Sequence, residues 1–72
     1  MTIESLQYFY AVANGMTYMD AAEEFHISQS SLSKSIFRLE DELGIRLFDR
    51  TGHRASLTPA GKRLLTDLKE IE

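Results

Sequence analysis

The chain has 72 residues, enough for one hydrophobic core and too few for two domains. Hydrophobic residues make up 43% and charged residues 26%, which excludes a disordered tail, and the absence of cysteine excludes a disulfide framework or a thiolate metal site. The net charge of −3 argues at first sight against a polyanionic partner, because neutralising phosphate takes Lys and Arg. A fold of this size buries roughly 60% of the surface its unfolded chain exposes, so self-association is expected on size grounds. The N-terminus lacks a basic stretch followed by an apolar run, and no window is long and apolar enough to span a bilayer. A cytoplasmic location and no membrane partner are the corresponding expectations.

Apolar residues recur at helical spacing through Ile3, Leu6, Phe9, Tyr10 and Ala13, with Thr2 as N-cap and Gly15 as the C-terminal stop, so a first helix is expected over 3–13. Thr17 opens a second, over 18–25, with Asp20 placed as in a capping box and a core face of Tyr18, Ala21, Ala22 and Phe25. The two alanines are small enough for another helix to cross closely.

Ser28 caps a third helix in which Leu32, Ile36, Leu39 and Leu43 fall within about a 60° arc at 100° per residue, and Gly44 ends it. The interval 26–28 has the length of a helix-turn-helix turn. The opposite face is then Ser30, Lys34, Phe37 and Asp41, flanked by Gln29, Ser33 and Arg38. Short polar and basic residues in the N-terminal half of that face suit a recognition helix. Small side chains let the backbone into a major groove while Gln, Ser and Lys reach base edges and phosphates.

After Gly44 the period changes, and 46–49 and 55–57 read as two short strands around the basic turn Thr51-Gly52-His53-Arg54. Thr58-Pro59 supplies an N-cap and a first-turn proline for a fourth helix containing Leu64, Leu65, Leu68 and Ile71. Leu57, Gly61, Leu64, Leu68 and Ile71 are spaced alternately four and three apart, the seam of a coiled coil. Those leucines either pair two copies or cover the three-helix core.

Charge is unevenly placed along these elements. The first 33 residues hold Glu4, Asp20, Glu23 and Glu24 and no base, whereas Lys34, Arg38, Arg46, Arg50, Arg54, Lys62 and Arg63 face only Glu40, Asp41, Glu42 and Asp49. A locally anionic partner on an acidic body is one reading of this asymmetry, and a salt-bridged surface is the other.

The order of elements, together with Leu6-Gln7-Tyr8-Phe9 with Ala11-Val12-Ala13, Ala21-Ala22-Glu23, Ile27-Ser28-Gln29, Leu32-Ser33-Lys34-Ser35-Ile36 with Leu39-Glu40, Glu42-Leu43-Gly44-Ile45, Leu47-Phe48, Arg50-Thr51 and Leu57-Thr58 with Ala60-Gly61, resembles the N-terminal domain of the LysR-type transcriptional regulators. The resemblance covers nearly the whole chain. It implies a mainly α, winged helix-turn-helix fold, with a three-helix core, a small two-stranded wing and a C-terminal linker helix. Residues 1–58 would be the DNA-binding domain and 59–72 the linker and dimerisation helix. The implied function is sequence-specific binding of duplex DNA, with a recognition helix over 28–43 in the major groove and a wing over 46–57 at the backbone or minor groove. Ser28, Gln29, Ser30, Ser33, Lys34, Arg38, Arg50 and Arg54 are the expected DNA-contacting residues, and Leu64, Leu68 and Ile71 the dimer contacts of a homodimer on an interrupted palindromic operator. A small-molecule effector is expected only if a C-terminal domain exists.

Four positions depart from the family pattern. Ser30 stands where proline is common, which exchanges an apolar contact for a hydroxyl that donates and accepts; Asp20 and Glu24 stand on helix 2 where neutral or basic residues are common; and Phe37 occupies an outward position more often polar. The alternative from another class is a protein-interaction module on the same fold that has lost DNA binding, although such a module has no reason to gather Lys34, Arg38, Arg50 and Arg54. Catalysis is not expected. His26 and His53 are the only imidazoles, neither in a metal-ligand spacing, and no phosphate-cradling glycine loop is present, so no metal or cofactor is expected either.

Overall fold

The computed structural model describes residues 2–49 and 56–71. Its elements follow the order α1 (Ile3–Ala13), α2 (Tyr18–Glu24), α3 (Gln29–Leu43), β1 (Phe48–Asp49), β2 (Ser56–Leu57) and α4 (Pro59–Ile71). The strands pair antiparallel, Phe48 opposite Leu57 and Asp49 opposite Ser56. α1 and α2 both pack on α3, and α4 closes against α1 and β2.

All four helices begin on a hydroxyl cap: Thr2 Oγ1 accepts the N–H of Ser5, Thr17 Oγ1 that of Asp20, Ser28 Oγ that of Ser31, and Thr58 Oγ1 that of Gly61. At α1 the cap is reciprocal, since Ser5 Oγ accepts the Thr2 N–H in return, a capping box with a serine as its far member. The first three helices also end alike. Gly15 donates to Val12 O and Met16 to Ala11 O; His26 donates to Glu23 O and Ile27 to Ala22 O; Gly44 donates to Asp41 O and Ile45 to Glu40 O. Each is a Schellman closure followed by an apolar residue. The left-handed position is glycine in two of them and His26, at φ 57°, in the third.

The core consists of Phe9, Val12, Ala21, Ala22, Leu32, Ile36, Leu39, Leu47 and Phe48. Phe48 ties the wing base to the helices, its ring lying 5.4 Å from Phe9 and 6.2 Å from Tyr18 between centroids. The expected α2 and α3 faces are realised with one exception, Leu43, which at 36% exposure lies on the expected arc but one turn beyond the last covered residue. The expected α1 face is shifted. Phe9 and Val12 point inward with Ser5, while Ile3 is 74% exposed, because a helix apolar around most of its circumference leaves its buried stripe undetermined by periodicity.

β1 is shorter than the strand expected over 46–49, while Ala55 of the other expected strand lies outside the described residues. The N–H groups of Leu47 and Phe48 both donate to Oε2 of Glu40, at 2.7 and 3.2 Å. The carbonyls of Arg46 and Leu47 are taken by the Thr58 hydroxyl and the Thr58 N–H. Residues 46 and 47 therefore spend their backbone groups on α3 and on the start of α4 rather than on a partner strand.

Candidate nucleic-acid interface

The surface singled out by sequence is built at the junction of α2 and α3. The Schellman closure at His26 turns the chain within residues 25–28, and the Ser28 cap restarts it as α3. Leu32, Ile36 and Leu39 bury the inner face completely. That burial fixes the rotation of the helix about its own axis, and the outer face follows from it: Ser28, Gln29, Ser30, Lys34 and Arg38 are exposed and Ser33 is half-buried at the edge. Phe37, 43% exposed, continues the face toward the C-terminus.

The first turn of that face carries a small hydroxyl network. Ser28 Oγ accepts the Ser31 N–H at 3.1 Å, donates to Ser31 Oγ at 2.9 Å, and lies 3.2 Å from Ser30 Oγ. Ser28 is thus engaged in holding the turn, whereas Gln29 and Ser30 present their side chains outward from it.

Glu40 changes the charge picture drawn from sequence. It is 4% exposed and serves as the acceptor for the wing entry, so the surface of segment 34–63 carries one acid fewer than the sequence suggests. Asp41 and Glu42 remain exposed beside Gly44, and Asp20, Glu23 and Glu24 line the exposed side of α2. Among the described residues the exposed bases are Lys34 and Arg38 on α3, Arg46 beyond it, and Lys62, Arg63 and Lys69 on α4.

The base of the wing is held from two sides. Glu40 ties residues 47 and 48 to α3, while Thr58 ties residues 46 and 47 to α4, its Oγ1 donating to Arg46 O at 2.6 Å and accepting the Gly61 N–H at 3.0 Å. Arg50 and Arg54, the expected wing contacts, lie outside the described residues, as do Thr51, Gly52 and His53.

On α4 the expected seam divides. Leu57 and Gly61 are turned into this protein's own body; Leu64, Leu65 and Leu68 are half-buried against the core cluster. Ile71 closes α4, and its side chain lies outside the described residues. Leu68 also lines an open apolar groove with Leu6, Tyr10 and Met16. Two residues that matter to this arrangement were read for other roles from sequence, Glu40 as a surface acid and Gly61 as a seam position. Nothing in local sequence sets Glu40 apart as a buried acceptor, because it opens the acidic run Glu40-Asp41-Glu42, which reads as surface. Gly61 did carry a signal, a glycine inside the first turn of a helical pattern, which asks for a packing reason.

No group of three or more His, Asp or Glu able to hold a metal occurs among the described residues, and no helix among them is long and apolar enough to cross a membrane. Comparison with known proteins places these features. The family model of the bacterial regulatory helix-turn-helix proteins of the lysR family matches residues 3–62. The transcriptional regulator TfdT of Cupriavidus pinatubonensis is 42% identical over 71 residues, which cover 99% of this chain and 31% of TfdT. The transcriptional dual regulator OxyR of Escherichia coli is 38% identical over 71 residues, 99% of this chain and 23% of OxyR. Among solved structures, the BenM DBD in its complex with benA site 1 DNA superposes with a TM-score of 0.90 at 34% identity, covering 99% of this chain and 80% of that one. This chain spans less than half the length of the curated relatives it matches. With a helix-turn-helix, a two-stranded wing and a family match over nearly its full length, the chain belongs to the LysR family of bacterial regulatory helix-turn-helix proteins.

Proposed function

We propose that this chain is the DNA-binding part of a LysR-type transcriptional regulator and binds duplex DNA sequence-specifically. The observation that carries the reading is the outer face of α3, polar and basic through Gln29, Ser30, Ser33, Lys34 and Arg38 and rotated outward by the complete burial of Leu32, Ile36 and Leu39. The likeness to BenM DBD, solved on DNA, supports it.

In this reading the N-terminal half of α3 enters the major groove. Gln29, Ser30 and Ser33 meet base edges, Lys34 and Arg38 meet phosphates, and Ser28 keeps the first turn in shape. Arg50 and Arg54 in the wing reach the backbone or the neighbouring minor groove. Residues 1–58 act as the DNA-binding unit. The helix over 59–72 joins two copies through Leu64, Leu68 and Ile71, so that two recognition helices meet successive major grooves of an interrupted palindrome. The full-length protein would regulate transcription from such sites.

A salt titration of binding to a selected and a scrambled duplex tests the proposal. Affinity is expected to fall linearly with log salt for both, and the selected duplex should hold an advantage that survives at higher salt. Binding to neither duplex at low ionic strength would replace this reading with the protein-interaction module.

A further inference from the structure

We propose that Ser30 reads an exocyclic amine, adenine N6 or cytosine N4, by presenting its hydroxyl oxygen as an acceptor to the major groove. The inference rests on α3 being the recognition helix and goes further, because it assigns the direction of one hydrogen bond. Ser28 Oγ has a single proton, and that proton is given to Ser31 Oγ at 2.9 Å. The 3.2 Å contact between Ser28 Oγ and Ser30 Oγ then needs its proton from Ser30. Ser30 thus turns its donor back into the helix cap and leaves its lone pairs for solvent, on an exposed side chain beside Gln29. Donating instead to a carbonyl such as guanine O6 or thymine O4 requires breaking the bond to Ser28. Accepting from an amine leaves the whole network intact and strengthens it, since hydrogen bonds in a chain polarise one another. Ser31 acts as a positioning residue: it fixes the proton of Ser28 and through it that of Ser30, while its own backbone N–H keeps the helix capped.

The test begins with selection from a random duplex library on the full chain and on Ser30→Ala, which locates the base pair whose preference depends on residue 30. At that position the amine is then deleted, with purine in place of adenine or 2-pyrimidinone in place of cytosine. In separate duplexes the carbonyl oxygen of the paired base is deleted. The unaltered chain should lose about fivefold in affinity with the amine, the value of one net hydrogen bond, beyond the loss Ser30→Ala shows on the same duplex. It should lose nothing beyond that control with the carbonyl. Ser31→Ala keeps the cap but frees the proton of Ser28, so its binding should become sensitive to either deletion.

Sensitivity of the unaltered chain to the carbonyl alone overturns the assignment. So does a Ser30→Ala selection identical to that of the unaltered chain, or a Ser31→Ala form that behaves like the unaltered one. Absence of any salt-dependent duplex binding is a different result and defeats the proposed function itself.

Discussion

Gly61 lets α4 lie against the entry to the wing. A Cβ built there would fall inside the carbonyl oxygen of Leu47 and 2.9 Å from Cδ2 of Leu57, and a backbone carbonyl cannot swing aside as a side chain tip can. Gly61→Ala should therefore cost about 2–3 kcal/mol, as overpacking against backbone does, and lower the Tm by about 10 °C or more. An alanine at Gly15 meets nothing within 4 Å, so only its left-handed backbone is penalised and the loss should be smaller. A thermal melt in which Gly61→Ala matches the unaltered chain would show that the close approach is absent. Glu40 works in the opposite way, by supplying an acceptor where backbone would otherwise be orphaned. Glu40→Ala leaves the buried N–H groups of Leu47 and Phe48 without their acceptor and should cost about 2–4 kcal/mol. Glu40→Gln retains a carbonyl oxygen and should cost clearly less. Denaturant unfolding measures both, and equal losses would mean that the acceptor is not what matters.

At the scale of elements, the wing is an appendage whose base is part of the core. Phe48 fills space between Phe9 and Tyr18, and Glu40 and Thr58 hold the chain on either side of it. The recognition helix and the wing base consequently share one set of supports, so the two are expected to meet DNA as a rigid pair. Within the proposed function their work still divides. Arg54→Ala should weaken all duplexes about equally and reduce the slope of log affinity against log salt by ~0.9, the value of one phosphate contact. Arg50→Ala should hurt narrow, A·T-rich sites most if Arg50 reads groove width. Salt titrations on both forms separate the two, and an unchanged slope for Arg54→Ala would remove it from the phosphate contacts.

At the scale of the whole molecule, α4 belongs to two surfaces at once. Leu64 and Leu68 are half-buried on this protein's own core, and the same residues continue the seam proposed to join two copies. Self-association through α4 is expected of the unaltered chain and is measured by sedimentation. Ile71→Glu, at the seam position furthest along α4, should yield monomers by sedimentation. Leu68→Glu should lose both dimer and stability, because it damages the core as well. A monomeric unaltered chain at high concentration would confine dimerisation to longer forms of the protein.

The helices, their caps and the outer face of α3 were legible in the sequence because they depend on neighbours three or four residues away. Ser28 before an apolar stripe and Gly44 after it bound α3 without reference to anything distant. Which face of α1 is buried could not be read in the same way, since Ile3 and Phe9 are equally apolar and only the position of α3 and the wing base distinguishes them. The wing entry was hidden for the same reason: Glu40 and Leu47 are seven residues apart, Arg46 and Thr58 twelve, and no periodic signal carries across such intervals. Sequence alone determined the elements and the chemistry of the exposed face, through local hydrogen bonding and helical period. Tertiary packing decided which acid became a buried acceptor and which glycine became a point of close approach, because both depend on where a distant backbone comes to rest.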